Sequence, residues 1–467
     1  MNPKKEILLK FLGHNIQVSK DALDALLADK NPTEKADEVL TRIKGKEKLL
    51  LVAHLKKSTR QCQAEVKVLK TYSGNTPISN AQDISAFFTS RYNHFKKVFH
   101  GRLNNLVSLS HLKKLNNEKA STIAMVSSKT TTPKGNIILE LEDPTGVFKA
   151  IATSEDAIKK ATAVIRDEVI GVSGSTGTDI LFIDDIVWPE VPIKNVRKET
   201  SETIYAAFLS DTHIGSKKFM RQEFKKLLQW FNSDNEIAKN TRYVFLAGDI
   251  VEGVGVYPKQ EAELEYTDIR EQYKQAAMLL SKLPEHMHLI ISPGNHDFVR
   301  LAQPQPALCP EICAPLYALK NTTMVSNPSL VNIHGFDNGG INVLMYHGVS
   351  IDAMVSATPL LKDGYAHPEK VMLSLLKRRH LSPPYESGLI AGGIDSLVID
   401  ETPDVFHVGH VHSNGAAEYR GITLINSGTW QAQTDFQKLV GHDPTPAQLP
   451  VLNLKTRELS LINFISK

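Results

Sequence analysis

Eight side chains of this sequence are of the types that hold and use metal ions: Asp211, His213, Asp249, Asn295, His296, His347, His410 and His412. They fall in five short segments, and each segment follows an apolar run, at 204–209, 243–247, 289–291, 341–345 and 405–408. Residues two apart on an extended segment point the same way, so Asp211 with His213, and His410 with His412, can each reach one ion. Imidazole mixed with carboxylate suits manganese, iron or zinc better than calcium or magnesium. Asp249 follows Gly248, and a carboxylate on such a turn can bridge two ions. Asn295 offers a neutral oxygen, and His347 completes a second ion. One Asp-x-His or His-x-His motif is usually incidental. Five segments in this order, each ending a strand-like run, are not.

The elements that must position these groups read as alternating strands and helices from residue 200 to residue 467, a layered α/β (sandwich) domain with its ligands at the carboxyl ends of strands. Before it the period is two. Segments 123–126, 137–142, 147–151, 169–172 and 179–187 read as strands, with a tight turn at Asp143-Pro144-Thr145-Gly146 and a helix near 156–162. Five short strands with an interposed helix predict an OB-type barrel over 119–192. Residues 1–57 read as a small helical module: Ser19 can cap a helix carrying Ala22, Leu23, Leu26 and Leu27, and Asn31-Pro32 opens another. Residues 58–118 read as a basic linker with one helical segment, whose Phe87, Phe88, Tyr92, Phe95 and Phe99 form a stripe expected in a core. The fold class is therefore α+β and multidomain.

The net charge of +3 hides an asymmetry: from Thr41 to Ala120 there are 16 Lys and Arg against 4 Asp and Glu. Such an excess favours a polyanion or an acidic protein surface. No run is long enough to span a membrane, and the opening Met1-Asn2-Pro3-Lys4-Lys5-Glu6 lacks a secretory pattern, so a cytoplasmic location is expected. Cys62, Cys309 and Cys313 cannot form a disulfide framework.

The order DxH, GD, GNHD, H, GHxH resembles the calcineurin-like metallophosphoesterases. That resemblance implies one ion held by Asp211, His213, Asp249 and His412, and a second by Asp249, Asn295, His347 and His410. It makes His296 the acid facing the leaving oxygen, with Asp297 hydrogen-bonded to it. Two such ions clamp a phosphate and activate a water for in-line attack. Flanking segments narrow the family. Gly248-Asp249-Ile250-Val251-Glu252-Gly253, Pro304-Gln305-Pro306, Arg378-Arg379-His380-Leu381, Asn426-Ser427-Gly428-Thr429-Trp430-Gln431 and Phe436-Gln437-Lys438 are similar to the small subunit of the archaeal D-family DNA polymerases.

Membership of that family implies a 3′–5′ proofreading exonuclease with two divalent ions, manganese first and magnesium, zinc or iron as alternatives. It implies a large polymerase subunit and DNA 3′ ends as partners, at the nucleoid, with a sliding clamp or primase as further candidates. Arg300, Lys259, Arg378 and Arg379 are candidate DNA contacts by charge, as is Lys377; each is equally a candidate salt-bridge residue, and Arg378-Arg379-His380 a candidate contact for the large subunit. Two positions depart from the family: Glu252 stands where Asp is common, and Ala353 where an acidic residue is expected. Both changes are expected to tune the rate. The competing readings are a scaffold with an inactive site, and a protein phosphatase or cyclic-nucleotide phosphodiesterase. Gly253, where protein phosphatases place an Arg, opposes the last.

Overall fold

The computed structural model describes residues 3–29, 31–43, 49–50, 64–74, 80–193, 195–385 and 390–465. The chain divides into two compact units, Met1–Gln63 and Ala64–Lys467. The boundary expected near residue 57, and Cys62, lie outside the described residues. In the first unit, helices Pro3–Leu12, Lys20–Leu27 and Pro32–Ile43 bury Ile7, Phe11, Leu23, Leu26 and Val39. Ser19 caps the second helix by accepting from the Ala22 amide at 3.2 Å.

In the second unit a closed five-stranded barrel is built from Lys119–Thr131, Ile137–Asp143, Gly146–Ala152, Val169–Gly177 and Ile180–Val187. The last strand inserts between the third and the fourth, and helix Glu155–Ala163 covers the crossover. Alternation of Ile137, Leu139 and Leu141 puts one face of the hairpin inside, and Asp143 closes its turn by accepting from the Thr145 amide at 2.7 Å.

Two six-stranded sheets carry the rest. One runs Thr322–Met324, His288–Ser292, Thr241–Ala247, Tyr205–Leu209, Gln448–Asn453, Leu459–Asn463, and its first four strands are parallel. The other runs Asn414–Tyr419, Ile422–Ser427, Val405–Val408, Ile341–Tyr346, Ser329–Ile333, Val66–Lys70. Period-two alternation splits each strand between two faces. Ala207 and Leu209 pack under helices Arg221–Phe231 and Ile269–Leu280, whereas Phe208 stacks on Phe245 and meets His407 of the second sheet edge-on at 4.9 Å. Helix Pro368–Arg378 covers the other sheet with Val371, Met372, Leu375 and Leu376.

One expectation for 58–118 changes. Val66–Lys70 is an edge strand antiparallel to Ser329–Ile333, so it is part of the sheet and no linker. Helix Ala81–Val98 is a structural strut: Phe87, Tyr92 and Phe95 are buried, and Tyr92, Phe95 and Phe99 pack against barrel residues Ile123 and Val169 and against Val398. Among the described residues no helix is long and apolar enough to cross a membrane.

Candidate metal centre

All five ligand-bearing segments leave the carboxyl ends of parallel strands. Tyr205–Leu209, Thr241–Ala247 and His288–Ser292 supply Asp211, His213, Asp249 and Asn295; Ile341–Tyr346 and Val405–Val408 supply His347, His410 and His412. The backbone at these ends is bent out of the ordinary regions. Asp211, His213, Asp249, His410 and His412 have φ of 51°, 47°, 49°, 72° and 59°. Non-glycine residues held left-handed cost on the order of 1–3 kcal/mol each and persist where surrounding structure fixes them. Here the Asp211 amide donates to Gly248 O at 2.9 Å, the His213 amide to Asp249 O at 3.0 Å, and the His410 amide to Asp211 Oδ2 at 2.9 Å. The turns come so close that a Cβ on Gly294 would lie 2.2 Å from Asp249 Oδ1.

The side chains converge in neighbouring groups, with Asp249 Oδ2 within 4 Å of a histidine of each. Asp211, His213 and His412 offer ligand atoms within 4.8 Å of one another, and so do Asp249, His347 and His410. Asp249 Oδ2 is 3.8 Å from His213 Nε2 and 3.3 Å from His347 Nε2, between the two groups. Asn295 Oδ1 is 3.0 Å from His347 Nε2. All seven expected ligands therefore meet. Buried Asp211 Oδ1 accepts no hydrogen bond, and His213 Nε2 faces His412 Nε2 at 3.0 Å. Lone pairs aimed at one another in a buried site fit cations between them.

Outer partners set the ring orientations. His347 Nδ1 donates to Ala247 O at 2.9 Å, Glu252 stands 3.0 Å from His213 Nδ1, Asp352 holds His410 Nε2 at 3.0 Å, and the Gln437 amide meets His412 Nδ1 at 2.8 Å. Burial alone would raise the Glu252 carboxyl, but the His213 ring 3.0 Å away and its charge hold it at about 2. Burial would lower His213, yet Glu252 first, then Asp249 and Asp211, lift it to about 9. Gln437 and Asp352 are not among the residues whose type and spacing mark a metal site. The signal was present in the Phe436-Gln437-Lys438 and Ile351-Asp352 segments, but no spacing rule ties them to His412 or His410.

Other expectations are corrected. Asp297 does not hydrogen-bond His296. Its carboxylate accepts from the Gly294 amide at 2.9 Å and from Tyr273 Oη at 3.2 Å, bracing the loop from inside. Burial, reinforced by Asp249, raises Asp297 to about 7. His296 instead places Nδ1 2.8 Å from the carbonyl oxygen of Glu252, and its ring stands 4.7 Å from that of His213.

The candidate DNA contacts separate. Arg378 is buried, pairs with Glu168 of the barrel at 2.7 Å and lies over Trp188. Arg379 is buried with Nε donating to Ile399 O at 2.9 Å. Arg300 donates to Pro304 O at 2.6 Å, and Lys377 lies over the Tyr419 ring at 5.2 Å. Lys259 is exposed. The two buried arginines tie the structure together and are not free to reach a DNA backbone.

Residues 206–415 match the family of the B subunits of DNA polymerases alpha and epsilon. The chain is 40% identical over 396 residues to the DNA polymerase II small subunit of Archaeoglobus fulgidus, covering 83% of this chain and 78% of that protein. It is 39% identical to the protein of that description from Methanothermobacter thermautotrophicus (79% and 77% covered) and 37% identical to that from Halobacterium salinarum (84% and 76%).

Proposed function

The chain belongs to the DNA polymerase II small-subunit family, and from that premise we propose that it is the 3′–5′ exonuclease component of a D-family DNA polymerase made of two subunits. The observation that carries this reading is the complete set of seven converging ligand atoms, with Asp249 Oδ2 within 4 Å of a histidine of each group. A scaffold would have no need to hold five left-handed residues around a buried, unpartnered carboxylate oxygen. Two divalent ions here would neutralise charge on a phosphodiester and make water acidic enough to attack at neutral pH. The mixed imidazole, carboxylate and amide donors favour manganese, with iron or zinc next.

The chain's own groups do the rest. With Nδ1 of His296 donating to Glu252 O, Nε2 is the nitrogen left, and in the imidazolium form of the ring it would give its proton to the departing 3′ oxygen. Asp297 acts on the same loop through the Gly294 amide. The large polymerase subunit and a DNA 3′ end are the partners this reading requires.

The test is His296→Ala in the complex of both subunits, assayed on single-stranded DNA with manganese. Hydrolysis should fall by roughly 10²–10⁴ while both ions and the large subunit remain bound. Wild-type protein that binds the large subunit but degrades no DNA would make the chain a scaffold. Hydrolysis of a phosphopeptide in preference to DNA would make it a phosphatase.

A further inference from the structure

The segment from Ala432 to Asp443 braces both histidines of the 410/412 pair. Gln437 meets His412 Nδ1 at 2.8 Å, and its Oε1 accepts from the Thr434 amide at 2.9 Å in a capping box that fixes helix Asp435–Leu439. Farther along, the His442 ring lies 5.2 Å from that of Tyr365. The Tyr365 hydroxyl donates to Asp352 at 2.8 Å, and Asp352 holds His410.

The same short helix turns an apolar crest to solvent. Phe436 is 71% exposed, Leu439 83% and Val440 57%. Spaced i, i+3, i+4, they share one face. Contiguous exposed apolar groups on a segment held this firmly mark a contact surface. Lys438 pairs with Asp435 at 3.0 Å on this helix and Lys218 also holds that carboxyl down, so two lysines and one carboxylate lie beside the crest. A second exposed aromatic, Phe298, directly follows Asp297 on the His296 loop. His296 and His412 both stand against His213, at 4.7 and 4.9 Å between rings, so two aromatic-bearing loops reach one centre.

We propose that Phe436, with Leu439 and Val440, is the platform on which unpaired nucleobases at the strand end stack while their phosphodiester enters the metal centre. This rests on the nuclease reading above. A flat aromatic ring accepts any base, and neighbouring lysines suit the phosphates that accompany it. Because Gln437 lies on the same helix, the element that feels the base also holds a metal-ligand histidine. The platform thereby ties cleavage to an unpaired end, since a paired base is stacked in its duplex and cannot lie on the crest.

The experiment uses the complex of both subunits and an oligonucleotide ending in 2-aminopurine, with phosphorothioate linkages to resist hydrolysis. Phe436→Ala should weaken binding about tenfold and abolish the fluorescence change that accompanies stacking. Phe436→Trp should restore both. An oligonucleotide with an abasic end should bind wild type and Phe436→Ala alike. Unchanged binding by Phe436→Ala, equal losses on base-bearing and abasic ends, or loss of the large subunit instead of DNA would each overturn the proposal. If wild type cleaves no unmodified DNA, the nuclease reading fails, and the fluorescence and binding comparison still judges the platform.

Discussion

The carboxylate of Glu252 stands 3.0 Å from Nδ1 of His213, which leaves Nε2 turned toward Asp249 and His412. Tyr257 donates to Glu252 Oε1 at 3.0 Å and Gln431 to Oε2 at 2.8 Å, so the carboxylate is itself held on both oxygens. Glu252→Ala should therefore weaken metal binding by about 10–100-fold, the usual loss when a histidine ligand's outer partner is removed. Chelator competition measures it. An affinity within twofold of wild type would mean the remaining ligands orient His213 unaided.

A second buried carboxylate governs stability. Arg91 and Asp395 are fully buried and pair at 2.5 Å, and His380 Nε2 meets the same Asp395 oxygen at 2.7 Å. Burial would raise the Asp395 carboxyl, but Arg91 and then His380 hold it well below the ordinary carboxylate range. His380 is lowered by burial against the pull of Asp395, so it is neutral. Both folded-state values lie below their unfolded ones. Their stabilisation is therefore present above the unfolded values, about 6.5 for His and 3.9 for Asp, and is lost as pH falls through these and below. Asp395→Asn leaves Arg91 buried without its counter-charge and should cost about 3–5 kcal/mol at neutral pH. Denaturant melts from pH 7 to pH 3 should show a shallower decline for the variant than for wild type.

The pattern of residues 200–467 was legible because it is local: Ile204 to Leu209 is an apolar run, and Asp211 and His213 follow it within four residues. Barrel strands were legible for the same reason, since Ile137, Leu139 and Leu141 alternate within one hairpin. Val66–Lys70 was not, because its partner Ser329–Ile333 lies about 260 residues away and five residues of edge strand carry little pattern. The pairing of Asp297 with Tyr273 in place of His296, and of Gln437 with His412, depends on loop packing that no spacing encodes. Arginine charge pointed to DNA at Arg378, whereas burial gave that charge to Glu168.

Arg378 offers a direct check of that distinction. Its pair with Glu168 joins helix Pro368–Arg378 to the barrel, and Trp188 donates to the same Glu168 oxygen at 3.0 Å. Arg378→Ala should destabilise the protein by about 3–5 kcal/mol, read from denaturant unfolding. A phosphate contact would predict something different: unchanged stability and a salt dependence of DNA binding shallower by about one unit of slope. The structural role requires the first result and an unaltered slope.

Gly294 tests whether the close backbone approach is what builds the shared ligand. A Cβ there would meet Asp249 Oδ1 at 2.2 Å and the Asp249 amide nitrogen at 2.5 Å. Neither can retreat cheaply, because Asp249 Oδ1 accepts from the His296 amide at 2.8 Å and the backbone is pinned by the His213 amide. Gly294→Ala must therefore displace the carboxylate that lies between the two groups, or the loop that carries Asn295 and His296. The expected outcome is loss of at least one bound ion, counted by metal analysis after dialysis, with far-UV circular dichroism unchanged. Adding manganese in excess should recover little activity, since the defect is in ligand position and not in supply. Full occupancy of both ions by Gly294→Ala would show that Asp249 is not the group joining the two sites.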